Sequence, residues 1–354
     1  MKAPMPWFGG KSRIAPLVWQ RLGDAPNYVE PFFGSGAVLL ARPDAHEWWD
    51  RIETINDADG MVSNFWRAVR DDPSGVAHHA DWPVNENDLH ARHSWLVGER
   101  ARIVSRLEGD PGWYDAQVAG WWLWGICSWI GSGWCSGKGP WQRIDGELVH
   151  LGDAGRGINR KLPHLGDAGR GINRKLPHLG AGQGINRQLP HLGDARQGHA
   201  TAWSQHLAAM MTALADRLRR VRVCCGDWSR VCGPSPTTRL GLTAVFLDPP
   251  YDHAERDAAI YAHEDDCGAR VVAWAIEHGD DPRYRIALCG YDGEHEMPDT
   301  WERVSWKAKG GYGSQGNGRG RENAEREVVW FSPHCLRPDA DYTTTLSLFA
   351  EAIA

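Results

Sequence analysis

Tyr28-Val29-Glu30-Pro31-Phe32-Phe33-Gly34-Ser35-Gly36 decides how this chain is read. Tyr28–Glu30 predicts a short strand, the glycines a tight turn, and Ala37–Ala41 the start of a helix that stops near Pro43. A strand, a glycine turn and a helix in that order let a ligand approach the backbone closely, because glycine has no Cβ to hold it off. A G-x-G turn by itself serves tight packing as readily as binding. A second strand, Arg51–Asn56, ends beside Asp57, and an acid about 20 residues after the glycines is the usual acceptor for ribose hydroxyls. The alternative role for Asp57 is the N-cap of the next helix.

The pattern continues outward from this unit. Met61–Arg70 predicts a helix with Val62, Phe65, Trp66 and Val69 on one face, and His206–Arg220 a second with Leu207, Met210, Met211, Leu214 and Leu218 in register. Strand-like runs follow at Val221–Cys225, Ala244–Leu247, Arg285–Cys289 and Glu327–Phe331. Strands alternating with helices predict an α/β fold, a largely parallel sheet covered on both faces.

Two further stretches carry chemistry. Phe246-Leu247-Asp248-Pro249-Pro250-Tyr251 follows an apolar strand. Proline fixes φ, so the Asp248 carboxylate and the Pro249 carbonyl can face one amino group while Tyr251 stacks on a planar base. Pro6-Trp7-Phe8-Gly9-Gly10-Lys11 offers an aromatic, two glycines and a lysine to cover a nucleoside-like ligand.

Composition bounds the rest. The chain has 354 residues, 42% hydrophobic and 24% charged, which suits about two globular domains and excludes a largely disordered or fibrous protein. No apolar run is long enough for a membrane helix and the N-terminus has no apolar leader, so a soluble protein of the cytoplasm is expected. The eight cysteines form no C-x-x-C pair, which points to buried small hydrophobes rather than disulfides or zinc ligands. Net charge is −6, so contact with nucleic acid has to be local. Between Gly137 and His199, ten Lys and Arg against five acids give +5, just after a stretch holding Trp113, Trp121, Trp122, Trp124, Trp129, Trp134 and Trp141. HLGDAGRGINRKLP runs from His150 to Pro163 and recurs at His164–Pro177; a shortened copy covers His178–Pro190 and a fragment restarts at His191. These units are too short and polar for a solenoid. They read as a duplicated surface loop or as a basic arm that touches phosphates.

In order, W-x-G-G-K, E-P-F-x-G-S-G, an inserted region and D-P-P-Y resemble the Dam-like, D12-class N6-adenine-specific DNA methyltransferases of the alpha group. The resemblance covers residues 1–70 and 206–335, and Arg326-Glu327-Val328-Val329-Trp330-Phe331 is similar to that family's late strand. It implies a Rossmann-like, S-adenosylmethionine-dependent catalytic domain at 1–70 and 206–354. It also implies a mainly helical and loop target-recognition domain at 71–205, with the basic repeats at 150–199. Trp7, Lys11, Gly34, Gly36, Asp57 and Asp248 are implied as S-adenosylmethionine contacts, with Asp227 a further cofactor-side acid. Asp248, Pro249 and Tyr251 are implied to hold a flipped adenine. The implied partner is double-stranded DNA, with a cognate restriction nuclease as a separate protein and neither metal nor membrane involved. N4-cytosine methylation, or a silent DNA-binding protein of the same fold, are the alternatives. The family's F-N-G-L-like recognition turn is missing; Trp129-Ile130-Gly131-Ser132-Gly133-Trp134 is the nearest stretch.

Overall fold

The computed structural model describes residues 1–7, 9–43, 51–129, 134–135, 141–144, 147–150, 199–250, 267–306 and 327–337. Phe8, Tyr251 and the repeats from 151 to 198 lie outside the described residues. In chain order the elements are α1 (Ala15–Leu22), β1 (Asn27–Glu30), α2 (Ala37–Leu40), β2 (Ile52–Asp57), α3 (Gly60–Asp71), α4 (Pro73–Ala80), α5 (Glu86–Gly109) and α6 (Ala116–Ser128). An antiparallel pair follows, β3 (Trp141–Ile144) and β4 (Glu147–His150), then α7 (His199–Leu218), β5 (Val221–Cys225), α8 (Ser229–Cys232) and β6 (Thr243–Leu247). The last elements are α9 (Cys267–Gly279), β7 (Tyr284–Tyr291), β8 (Glu302–Ser305) and β9 (Glu327–Phe331).

Seven strands form one sheet in the order β5-β2-β1-β6-β7-β9-β8. The first five are parallel, and β9 runs antiparallel to both β7 and β8. The expected α/β architecture is therefore present. β1, β6 and β9 are buried at every position, as strands covered on both faces must be. Their side chains alternate between two cores. Tyr28 and Phe246 join Ile55, Phe65 and Trp66 on one face, while Val29, Val245 and Leu247 join Ile286, Leu288 and Trp301 on the other.

The helices between β2 and β5 rest on the first of these cores, where Val76, Leu96 and Leu123 belong to the same continuous cluster as Ile55 and Phe65. Four of them begin at an Asx residue whose side chain accepts a backbone N–H: Asp59 for α3, Asp72 for α4, Asn85 for α5 and Asp115 for α6. The N-cap of α3 is thus Asp59, which leaves Asp57 free of that role. Among the described residues no helix is long and apolar enough to cross a membrane. All eight cysteines are free, and six of them are buried.

A buried ion network ties this helical stretch to the sheet. Glu53 of β2 accepts from Arg42 Nη1 at 2.9 Å and from Arg217 of α7 at 2.7 and 3.0 Å. Both arginines also donate to backbone carbonyls, Arg42 to Ala25 and Arg217 to Leu39.

Candidate active site at the ends of β1 and β6

The strand order reverses between β1 and β6, and open α/β sheets place their ligand crevice at the carboxyl ends of the strands at such a point. β1 runs into the glycine turn and β6 into Asp248-Pro249-Pro250. Pairing of Val29 with Val245 therefore brings together two motifs that stand far apart in sequence.

The glycine turn is built to be approached. Gly34 and Gly36 have φ of +48° and +70°, a region that side chains with a Cβ rarely enter. A Cβ on Gly34 would stand 2.5 Å from Trp7 Nε1, and one on Gly36 2.6 Å from the Phe33 ring. The turn is then held from behind. Asp57 Oδ2 accepts from Gly34 N at 2.9 Å, Asp57 Oδ1 from Asp59 N at 2.8 Å, and Trp66 Nε1 donates to the Gly34 carbonyl at 2.9 Å.

Charge is concentrated under the cleft. Lys11, almost fully buried, places Nζ 3.0 Å from Asp248 Oδ2, 3.9 Å from Glu327 Oε2 and 2.8 Å from the Gly9 carbonyl. Burial works to lower its pKa, but Asp248, Cys289 and Glu327 outweigh it and hold the ammonium charged well above its ordinary range. Glu30, at the end of β1, accepts from Tyr28 Oη at 2.7 Å. Burial pushes its carboxyl up to about 8. Burial and the neighbouring Asp59 raise Asp57 to about 7, against the N–H groups of Gly34 and Asp59 and the charge of Arg100.

The cleft is lined by Trp7, Lys11, Glu30, Ser35, Phe246 and Asp248 among others. Trp7, Lys11 and Asp248, expected together, meet there. Asp57 does not line this cleft; it grips the glycine turn instead, with one further lone pair on each oxygen. Asp227 accepts from Ser229 N at 2.9 Å beside Arg270, at the exposed end of β5. Pro249 is buried directly after Asp248, whereas Tyr251 lies outside the described residues. Sequence reasoning missed Glu30 and Glu327 as part of the site. The signal for Glu30 was an acid closing an otherwise apolar strand.

These residues suit S-adenosylmethionine. Gly9 and Gly10 present bare backbone to the cleft, Trp7 offers an aromatic wall, and Lys11, Glu30 and Asp248 bring charged groups to it. Asp248 opens onto the cleft, with 23% of its side chain exposed.

No curated protein matches this chain. A family model does match, over residues 7–91, a segment that includes Trp7, Lys11, Gly34, Gly36 and Asp57 but ends before Asp248. The resemblance read from the motifs is thereby borne out over residues 7–91, which match the D12 class N6 adenine-specific DNA methyltransferases.

Proposed function

We propose that this protein transfers a methyl group from S-adenosylmethionine to the exocyclic N6 of an adenine flipped out of a specific sequence in double-stranded DNA. The observation that carries the reading is the convergence of Asp248 with Trp7, Lys11 and the glycine turn at the switch point between β1 and β6. Trp7, Lys11, Gly34, Gly36, Asp57 and Asp248 would hold the cofactor.

When bound, S-adenosylmethionine supplies a methyl group made electrophilic by its sulfonium. The rest is positioning by the chain itself. The N6 lone pair of adenine is delocalised into the ring and is a poor nucleophile. The Asp248 carboxylate and the Pro249 carbonyl accept its two N–H groups, which favours a more tetrahedral nitrogen and aims the lone pair. Lys11 fixes one oxygen of Asp248 at 3.0 Å and so sets the plane of that carboxylate. A stacked base cannot reach this shelf, so the adenine has to leave the helix, at a cost of a few kcal/mol. Tyr251 stacked on the flipped base returns about 1–3 kcal/mol. The stretch 71–205 is assigned to target recognition, since it carries the Trp-rich and basic segments.

The test is product analysis. Duplex DNA treated with labelled cofactor and digested to nucleosides yields N6-methyladenine, and Asp248→Ala slows transfer about 10²–10³-fold. N4-methylcytosine as product would replace adenine by cytosine and keep the shelf. Equal transfer by the wild type and Asp248→Ala would remove the mechanism.

A further inference from the structure

Of the four described large apolar side chains that stay exposed, two belong to one row of rings: Trp82, at 47%, and Trp95, at 40%. Trp82 precedes α5 and Trp95 lies within it. Between them the Arg92 guanidinium packs 4.8 Å from the Trp82 ring and 4.9 Å from that of Trp121, and Trp95 stands edge-on to Trp121 at 5.3 Å. Arg92 is only 8% exposed, and its buried Nη1 has no hydrogen-bond partner among the described residues. The rings hold it. Both exposed indoles are thereby fixed before anything meets them, and an exposed patch of rigid aromatic surface marks an interaction site.

Beside Trp95, the same helix face carries a glycine that no described neighbour requires. α5 buries Leu89, Leu96, Ile103 and Leu107, which turns Ala91, Trp95, Gly98 and Arg102 outward at spacings of three and four residues. A glycine inside a helix weakens it. The glycines of α6 have a reason in the fold, since a Cβ on Gly120 would stand 2.5 Å from His79 and one on Gly125 1.8 Å from Trp134. A Cβ on Gly98 meets no described atom within 4 Å. The space over Gly98 is left for a group that the described residues do not supply. The charges along this face also have an order, with Asp88 at its start and Arg106 near its end, while Glu99 and Arg102 between them pair with each other. Such an order is complementary to itself reversed.

We propose that α5 is the contact surface for a second copy of this chain, packed antiparallel about a two-fold axis that crosses the middle of the helix, so that Trp95 of each copy seats over Gly98 of the other. The face supplies both halves of its own complement: an exposed indole and the hole for one, an acid and the base for it. In this register Asp88 stands opposite Arg106 of the second copy, and Ala91 opposite its Arg102. A two-fold contact uses one patch twice, so each of these contacts is made in duplicate. The 24 residues of α5 give it about 36 Å of length, and closing it takes both Trp95 rings out of water together. The association does not depend on what the cleft binds.

Sedimentation velocity of the full chain over a dilution series reads the association. The wild type is a dimer at micromolar concentration and dissociates on dilution. Trp95→Ala raises the dissociation constant about tenfold or more. Gly98→Gln does the same by filling the hole. In dilute solution, where both proteins are monomers, the melting temperature of Gly98→Gln is no lower than that of the wild type, because glutamine is the better helix former and has open space there. Loss of the dimer in that variant is then not a failure to fold. Cysteine trapping reads the register: oxidation joins two copies of the Ala91→Cys/Arg102→Cys double variant, and joins neither the wild type nor either single variant. A wild type that stays monomeric at these concentrations overturns the proposal, as does a dimer whose dissociation constant is unchanged in both Trp95→Ala and Gly98→Gln. Trapping of Ala91→Cys alone would show parallel packing and overturn it too.

Discussion

Two buried charge networks sit on the same sheet and differ in one respect. Glu53, with 3% of its side chain exposed, receives Arg42 Nη1 and both Nη groups of Arg217, while Nη2 of each arginine also reaches a backbone carbonyl and that of Arg42 reaches Asp24 as well. Lys11 is as deeply buried, but its partner Asp248 is 23% exposed along the cleft wall and Glu327 stands at 3.9 Å. The first network is closed and fastens α7 to β2. The second is open on one side, so its acceptor can serve an incoming donor. The same pairing chemistry is therefore sealed in the core at one site and open to the cleft at the other, and the difference is access to solvent.

The largest effect is expected in the closed network. Glu53→Gln leaves two buried guanidinium groups uncompensated, and breaking a buried pair in this way costs about 3–5 kcal/mol. Urea unfolding reads it directly, and a loss below about 1 kcal/mol would show that water reaches Arg42 and Arg217. The open network should respond asymmetrically. Asp248→Ala strands the Lys11 ammonium and costs about 1–3 kcal/mol in addition to its effect on rate. Lys11→Met costs less, because Asp248 faces the cleft and water takes the place of Lys11 there, which leaves only the more distant Glu327, at 3.9 Å, to lose its partner. Equal losses from the two variants would mean that the cleft does not hydrate Asp248.

A further effect is a dependence on pH. The carboxyl of Glu30 is raised from 4.5 to about 8 in the fold, so the stability it contributes is present below its unfolded pKa and is lost as pH rises through its folded one. Asp57, raised to about 7, acts in the same direction. His93, lowered to about 4 by burial, works oppositely, but only below its ordinary 6.5. Between about pH 6.5 and 8 the wild type therefore loses about 1–2 kcal/mol through Glu30. Glu30→Gln, which can still accept from Tyr28, flattens that decline. An unchanged slope would show that Glu30 is already ionised in the fold.

Much of this architecture was legible because local rules and burial agree. β5 and β9 fall at the residues expected, since an apolar run bounded by polar residues leaves little choice. The glycine turn and α2 follow from residues that tolerate few alternatives. α5, the 24-residue helix, left a weaker trace. Its buried positions include Arg92 and His93 between Leu89 and Leu96, which breaks the apolar period a sequence reader follows. Arg92 is buried there because it packs against the rings of Trp82, Trp121 and Trp124 at 4.5–4.9 Å. At the site, Trp7, Lys11 and Asp248 could be brought together because each lies in a recognisable motif. The choice between ribose acceptor and helix cap for Asp57 needed coordinates, which give the cap to Asp59 and the glycine turn to Asp57.

The eight free thiols have a practical consequence. Burial raises the pKa of every one of them, and alkylating reagents attack the thiolate rather than the thiol. In the folded protein at neutral pH each of the six buried cysteines is thus a slow target that becomes fast only when its element opens. Cys127 reports on the end of α6, Cys225 on β5 and Cys289 on β7. Pulsed alkylation followed by peptide mass mapping would accordingly rank the local opening of the helical stretch against that of the sheet, with no probe added to the chain.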